Sequence, residues 1–482
     1  GQWLGDGAMP GGSAGGGSEV VAPEPVQLGL VPAAAAAGAA PAEEDRAQRR
    51  AVEAKWVGWL RGAAVSSDVL REALKEGTFA ASIKDALARK ATATLKSRFG
   101  ALRSYTNWCV ARALDVFPFA ERTAYAYAVH LRDVGAPPTK AQSFVKAVAM
   151  IGFLMKVAGT AEVVKSPRVV GATWAQLTLK RVTTRRSPLT VSQVMLLQSA
   201  VLLPEGSPVD RLLAGTMVLL VALRLRFSDA QRARDEPQLD LDPEGDGYVE
   251  LPLGVTKNSQ KEDLVAADKV AVGHALGLSG LAWAPAWVAL RKEMGLQARR
   301  DGCLIPAILA DGSFAKRRLR SGELLAWLTS YLKRVRATSP GQRLGSHSGK
   351  ATLLSWAAKY GVDKSTRRDL GYHIARKNRS VHTYSRDYQA APLRRLALVL
   401  KAVSNKEFDP DCTRSGRFKR KEPEPDAKTQ EASEDPEGEW IIAKLYAKLH
   451  RRKKSSVRSC CGRASAVLPA FEVHKSVPKD SR

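Results

Sequence analysis

Apolar residues recur at helical spacing through much of the first third of the chain. In "TLKSRFGALRSYTNWCVARAL", Leu95, Phe99, Leu102, Tyr105 and Cys109 share one face, which predicts an amphipathic helix. A helical pattern starts near Arg46, and "AYAYAVHLRDVG" predicts a helix ending at Gly135. The turn "APPT" then offers Thr139 as the N-cap of a helix running to Met155. Together these predict a compact bundle of about four helices with basic polar faces.

The pattern changes after residue 165, where "VVKSPRVV" and "LKRVTTRRSPLT" read as a Pro-punctuated, arginine-rich connection. "SPLTVSQVMLLQSAVLL" restarts the helical pattern with a capping box, Thr190 followed three residues later by Gln193. A strongly apolar helix, "RLLAGTMVLLVALRL", comes next and runs into "RFSDAQR". "YVELPLG" and "TKNSQKEDLVAAD" read as strands of a small antiparallel hairpin or sheet. Helices resume around "LAWAPAWVALRKEMG", "SGELLAWLTSYLKRVRA" and "ATLLSWAAKYG", the last closing at Gly361.

The two ends differ from the middle. Residues 1–45 are rich in Gly, Ala and Pro and are expected to form a disordered tail. Beyond about 405 a charged, Pro-containing stretch leads to "KLYAKLHRRKKSSVR", a short basic helix or tail. The expected organisation is thus a tail (1–45), a helical extension (46–84), a helical bundle (85–165), a basic linker (166–188), a second domain (189–404) and a charged, largely disordered tail (405–482). The fold class is mainly α with a small antiparallel β-sheet.

Composition narrows the partners. The 482 residues carry 75 Lys and Arg against 48 Asp and Glu, a net charge of +27. Such a surplus repels itself unless a polyanion screens it, so nucleic acid is the expected partner. Five scattered cysteines have neither disulfide-framework nor zinc-ligand spacing, and a reducing intracellular compartment is expected. No apolar run is long enough for a membrane span, and the first residues lack a signal-peptide pattern. The chain opens on Gly1 rather than Met, so its natural start is expected upstream.

Candidate chemistry gathers in "LGSHSGKATLLSWAAKYGVDKSTRRDLGYHIARKNRSVHTYSRD", residues 344–387. His347 and Lys350 are three apart and share a face if a helix begins there. Arg226 lies just past the apolar helix, where it needs a partner, and Asp229 is three residues on. Lys257 in "LGVTKNSQ" is expected at a strand end or hairpin tip. Taken singly, each has a plain structural explanation.

The order "LRFSD", "TKNS", "HSGK", "LGYH", "HTYSRD" resembles the tyrosine recombinase (phage integrase) family, over residues 85 to 400. "HTYSRD" and "LSWAAKYG" resemble mobile-element members in particular. The resemblance implies a helical core-binding domain followed by an α+β catalytic domain. It assigns Arg226 and Lys350 to the phosphate's nonbridging oxygens, Lys257 to protonation of the leaving 5′-oxygen and His347 to proton transfer at the tyrosine. His373 would bond the phosphate and Tyr384 would be the nucleophile, with Tyr388 a rival four residues on. Lys350 departs from the family, which has arginine there, and the replacement loses a rigid bidentate fork while keeping the charge. "LGYH" also has one residue more than the simpler Leu-Gly-His.

The implied chemistry is site-specific DNA cleavage and rejoining through a 3′-phosphotyrosyl link, without metal or other cofactor. The implied partner is double-stranded DNA, with a homotetramer on paired sites, no membrane and no small-molecule substrate. A eukaryotic source would place it in the nucleus. Two alternatives stay open: a catalytically impaired DNA-binding derivative, and a type IB topoisomerase.

Overall fold

The computed structural model describes residues 41–180, 186–254, 269–278, 280–372 and 387–419, with the backbone of 440–443, 448–451 and 471–474. It is mainly helical with small antiparallel sheets, as expected from the sequence. Residues 420–482 form a unit of their own, in which β8 (Trp440–Ala443) pairs antiparallel with β9 (Lys448–Arg451) and β10 (Phe471–His474). A strand therefore stands at Lys448–Arg451, where the sequence reads as a basic helix or tail.

The amino-terminal part is a bundle: α1 (Pro41–Ala63), α2 (Asp68–Lys75), α3 (Phe79–Ala88), α4 (Thr92–Val110), α5 (Glu121–Asp133), α6 (Lys140–Met155), α7 (Thr160–Lys165) and α8 (Pro167–Thr178). Leu95, Leu102, Tyr105 and Cys109 of α4 are buried on the predicted face. Tyr105 meets Phe144 at 4.7 Å and Phe119 at 5.5 Å between ring centroids. Two expectations need revision. Thr139 precedes α6 but makes no side-chain cap, because its backbone is already α-helical rather than extended. The stretch read as a linker holds α8, whose Pro167 opens the helix behind a capping Ser166. Proline marks a start here, not a break.

The second body is built around α9 (Val191–Leu202) and α10 (Pro208–Ala222). Thr190 and Gln193 make the predicted capping box, Gln193 N donating to Thr190 Oγ1 at 3.2 Å and Thr190 N to Gln193 Oε1 at 3.1 Å. Every residue of α10 from Leu212 to Val221 is buried, so this stretch has no solvent-facing side and lies in the middle of the core. After the short α11 (Phe227–Ala230), strands β1 (Gln238–Leu241), β2 (Gly247–Leu253) and β3 (Lys269–His274) form an antiparallel sheet in the order β1-β2-β3. The predicted strand "YVELPLG" is β2, with Val249, Leu251 and Leu253 turned inward at period two.

Then follow α12 (Trp283–Glu293), α13 (Ala298–Asp301), the pair β4 (Pro306–Ile308) and β5 (Phe314–Arg318), α14 (Ser321–Arg334), α15 (Ser348–Tyr360), α16 (Lys364–Leu370) and α17 (Ala390–Ser404). A last pair, β6 (Phe408–Asp409) and β7 (Arg417–Phe418), puts Phe408 into the core. That core reaches past residue 404, where the tail was expected to begin. Arg318 of β5 joins the two bodies by donating to Asp45 Oδ2 at 3.0 Å and Pro41 O at 3.1 Å.

Two glycines set the spacing at the heart of this body. A Cβ on Gly349 would fall 2.9 Å from Leu220 Cβ, so glycine lets α15 press against α10. A Cβ on Gly273 would fall 2.6 Å from Ala222 O, so glycine lets β3 pass beside the end of the same helix.

Candidate functional site

The site begins where α10 ends. Arg224 N donates to Val221 O at 3.1 Å and Leu225 N to Leu220 O at 3.1 Å, the pair of bonds that closes a Schellman turn. The left-handed residue in such a turn is usually glycine, yet here it is Arg224 at φ 50°. The turn reverses the chain and leaves Arg226 in extended backbone at the head of α11. Gln231, just past α11, fastens this segment to the body. Its amide nitrogen donates to Ile305 O and Leu319 O, and its oxygen accepts from Ile305 N at 2.9 Å.

The Arg226 side chain is 30% exposed, with Nη1 3.4 Å from Asp229 Oδ2. Asp229 is the partner expected from the three-residue spacing. The bond is long, so Arg226 remains open to a stronger anion. Lys350 sits in the first turn of α15, half-buried, its Nζ donating to Gly371 O at 2.8 Å and lying 5.8 Å from the Tyr372 ring centre. Burial lowers its pKa to about 8, Arg226 and Arg224 push in the same direction, and Asp229 opposes them. Arg226 and Lys350 thus share one electrostatic environment. His347 precedes α15 directly, exposed, with no side-chain cap bond.

The sequence-predicted residues divide cleanly. Arg226 and Lys350 come together, and His347 stands at the same end of α15 as Lys350. Lys257, His373 and Tyr384 lie outside the described residues. The rival Tyr388 is half-buried in the turn before α17, and burial raises its phenol pKa. Sequence reasoning passed over Arg224 and Gln389, both buried. It noted Tyr372 only as the additional residue of "LGYH". The signal for Arg224 was a charge inside the apolar run "VLLVALRLRF".

Arg224 is fully enclosed. Its Nε donates to Leu370 O at 2.9 Å and Nη1 to Ala222 O at 2.6 Å. Nη2 faces Val272 O at 3.0 Å, Tyr372 Oη at 3.2 Å and Gln389 Oε1 at 3.2 Å. The five acceptors are uncharged, so the guanidinium is hydrogen-bonded without being neutralised by any of them. The partly open guanidinium of Arg226 and the half-buried ammonium of Lys350 both feel the carboxylate of Asp229. Such a cluster can hold an anion with tetrahedral oxygens.

Among the described residues there is no group of His, Cys, Asp and Glu fit for a metal ion, and no helix long and apolar enough to cross a membrane. No family model matches the chain, and no curated protein does. Among solved structures, the chain is similar to lambda integrase bound to DNA, with 15% identity and a TM-score of 0.33 over 58% of this chain and 84% of that one. It is also similar to a lambda integrase dimer bound to a COC′ core site, with 14% identity and a TM-score of 0.32 over 57% of this chain and 88% of that one.

Proposed function

We propose that the chain cuts and rejoins DNA strands through a tyrosine–phosphate ester. The supporting observation is that Arg226 acts electrostatically on Lys350, close to a buried Arg224 whose five hydrogen-bond acceptors are all uncharged, on a chain of net charge +27. Lysine and arginine surplus of this size favours a polyanion, and the cluster offers one point at which a single phosphate would be gripped.

In this reading Arg226 and Lys350 bind the two nonbridging oxygens, where negative charge grows in the pentavalent transition state. A preorganised donor of this kind contributes ~3–4 kcal/mol. The Tyr384 hydroxyl attacks phosphorus, the bond to the 5′-oxygen breaks, and a 3′-phosphotyrosyl link forms. The departing 5′-oxygen takes a proton from Lys257, while His347 accepts the phenol's proton and His373 donates to the phosphate. Attack by a 5′-hydroxyl from another strand reverses the step and exchanges partners. The substrate is double-stranded DNA, the working form a homotetramer on paired sites, and the setting the movement of a mobile element, in the nucleus if the source is eukaryotic.

The test uses a library of nicked duplexes with randomised sequence, incubated with the full chain and resolved after denaturation. A protein–DNA adduct should form in the wild type, persist in Tyr388→Phe and vanish in Tyr384→Phe. An adduct that survives Tyr384→Phe, or none from any duplex, sinks the proposal. Binding without an adduct would instead favour the impaired DNA-binding derivative. Relaxation of one supercoiled circle without strand exchange would favour the topoisomerase.

A further inference from the structure

The cleavage reading gives Arg224 no role, yet five hydrogen bonds converge on it from four separate segments. An arginine at φ 50° is less favourable than a glycine there, and burying its charge adds a further cost. Those costs are offset only if the contacts do something glycine could not.

The contacts have a common geometry. Arg224 holds Leu370 O, and Lys350 holds the next carbonyl, Gly371 O. The Tyr372 ring lies beside both cations, 5.6 Å from the Arg224 guanidinium and 5.8 Å from Lys350 Nζ. Tyr372 is itself left-handed at φ 59°, and its hydroxyl accepts from Arg224 and from Val272 N at 3.3 Å. Gln389 accepts from Arg224 while donating to Asp369 O at 2.9 Å. One planar, five-donor group thus ties β3, the 369–372 turn and the start of α17 to the end of α10.

We propose that Arg224 is a positioning residue of the phosphate site, fixing the 370–372 turn so that Lys350 rests on Gly371 O beside Arg226. The proposal deepens the cleavage reading and rests on it for the function of the pair. Arg224 touches no substrate. Without it the turn is free to move, water reaches Lys350, and the ammonium no longer stands at a set distance from Arg226. Among the described residues, the charged and titratable groups acting on Lys350 are Arg226 at the head of α11, Asp229 within it, Arg224 from the Schellman turn, and Tyr372 beside it.

The full chain carrying Arg224→Gly, which suits the left-handed backbone, is compared with Tyr372→Phe, which keeps Arg224 and removes one acceptor. Lys350 is labelled with acetic anhydride across pH 6.5–11, a window spanning its lowered pKa of about 8 and its usual 10.5, and read by mass spectrometry. The labelling midpoint should rise by about one unit in Arg224→Gly and by less in Tyr372→Phe, since exposure and loss of a neighbouring cation both favour the protonated amine. Adduct formation on nicked duplexes should slow ~10–100-fold in Arg224→Gly, the cost of misplacing a reacting group by about an ångström. DNA affinity should change less than ~3-fold, since one phosphate contact among many is disturbed. Wild-type midpoints in a folded Arg224→Gly would overturn the proposal. Should Arg224→Gly fail to fold, an unshifted midpoint in Tyr372→Phe would do the same. A wild type that never forms an adduct defeats the cleavage reading alone, because the labelling midpoints still decide the position of Lys350.

Discussion

Between Pro41 and Thr178 the buried residues are apolar and aromatic, with a few uncharged polar ones such as Ser67, Thr160 and Gln176. Between Ser187 and Lys419 the core also takes in Asp210, Arg224, Asp229, Arg291 and Arg317. Among the described residues, no charged side chain is buried in the first region. Aromatic packing needs shape and little else, so the bundle is held by rings such as Trp56 against Phe99 at 5.7 Å. Buried charges need partners at defined positions, and here they have them: Asp210 accepts from Trp327 Nε1 and Arg334 Nη2, both at 2.7 Å. Arg291 donates to Leu304 O at 2.6 Å and to Glu236 at 2.8 Å. Such networks add little net stability over an apolar core but fix where each group stands. The body that buries charge is also the one that brings Arg226 and Lys350 together.

The contrast can be broken by substitution, beginning with the bundle. Trp56→Ala should cost about 4 kcal/mol, because the emptied space is lined by rings that cannot collapse into it. Urea unfolding measures this, and a loss below ~1 kcal/mol would mean the aromatic core is not what holds the bundle. In the second body Asp210→Ala should cost about 3 kcal/mol by stripping one acceptor from two donors. Asp210→Asn, which keeps an oxygen for Trp327 Nε1, should fall between. If Asp210→Ala unfolds at the wild-type midpoint, the buried network is ornamental and the comparison fails.

Lys350 sharpens the contrast through pH. Its pKa is lowered to about 8 in the folded chain, from a usual 10.5, mainly by burial and then by Arg226. Between those values the unfolded chain holds the extra proton, so this group's contribution to stability rises with pH across that window. Lys350→Met should therefore flatten the rise in unfolding midpoint between pH 8 and pH 10.5, and an unchanged slope would contradict it. Phosphate gripping runs the other way, because the ammonium charge is lost above about 8; Lys350→Arg should keep adduct formation going to higher pH. The smallest effect is expected at Thr190→Ala, about 1 kcal/mol from the capping box, read by the same urea series.

Local features were legible in the sequence where a few adjacent residues determine them. The capping box at Thr190 and Gln193, the apolar run 212–221 of α10 and the alternation of β2 each follow from local sequence. The proximity of Arg226 and Lys350 was reachable only through the resemblance to a family's order of motifs, since nothing local to either requires the other. Arg224 was not legible as buried because its acceptors come from Val272, Leu370, Tyr372 and Gln389, which only the folded chain collects. Phe408 was lost to the expected tail because a single aromatic just ahead of a charged stretch carries no period. Proline at 167 misled for a different reason: behind a serine cap it begins a helix as readily as it ends one.

The contact at Gly349 works as a mechanical stop. Because Leu220 lies within van der Waals reach of a glycine, the seat of α15 is fixed by a touching surface rather than by an adjustable rotamer. The ammonium one residue further along inherits that tolerance. A single methyl at this stop would lift the helix end bodily, moving one electrode of a pair while leaving its own chemistry intact.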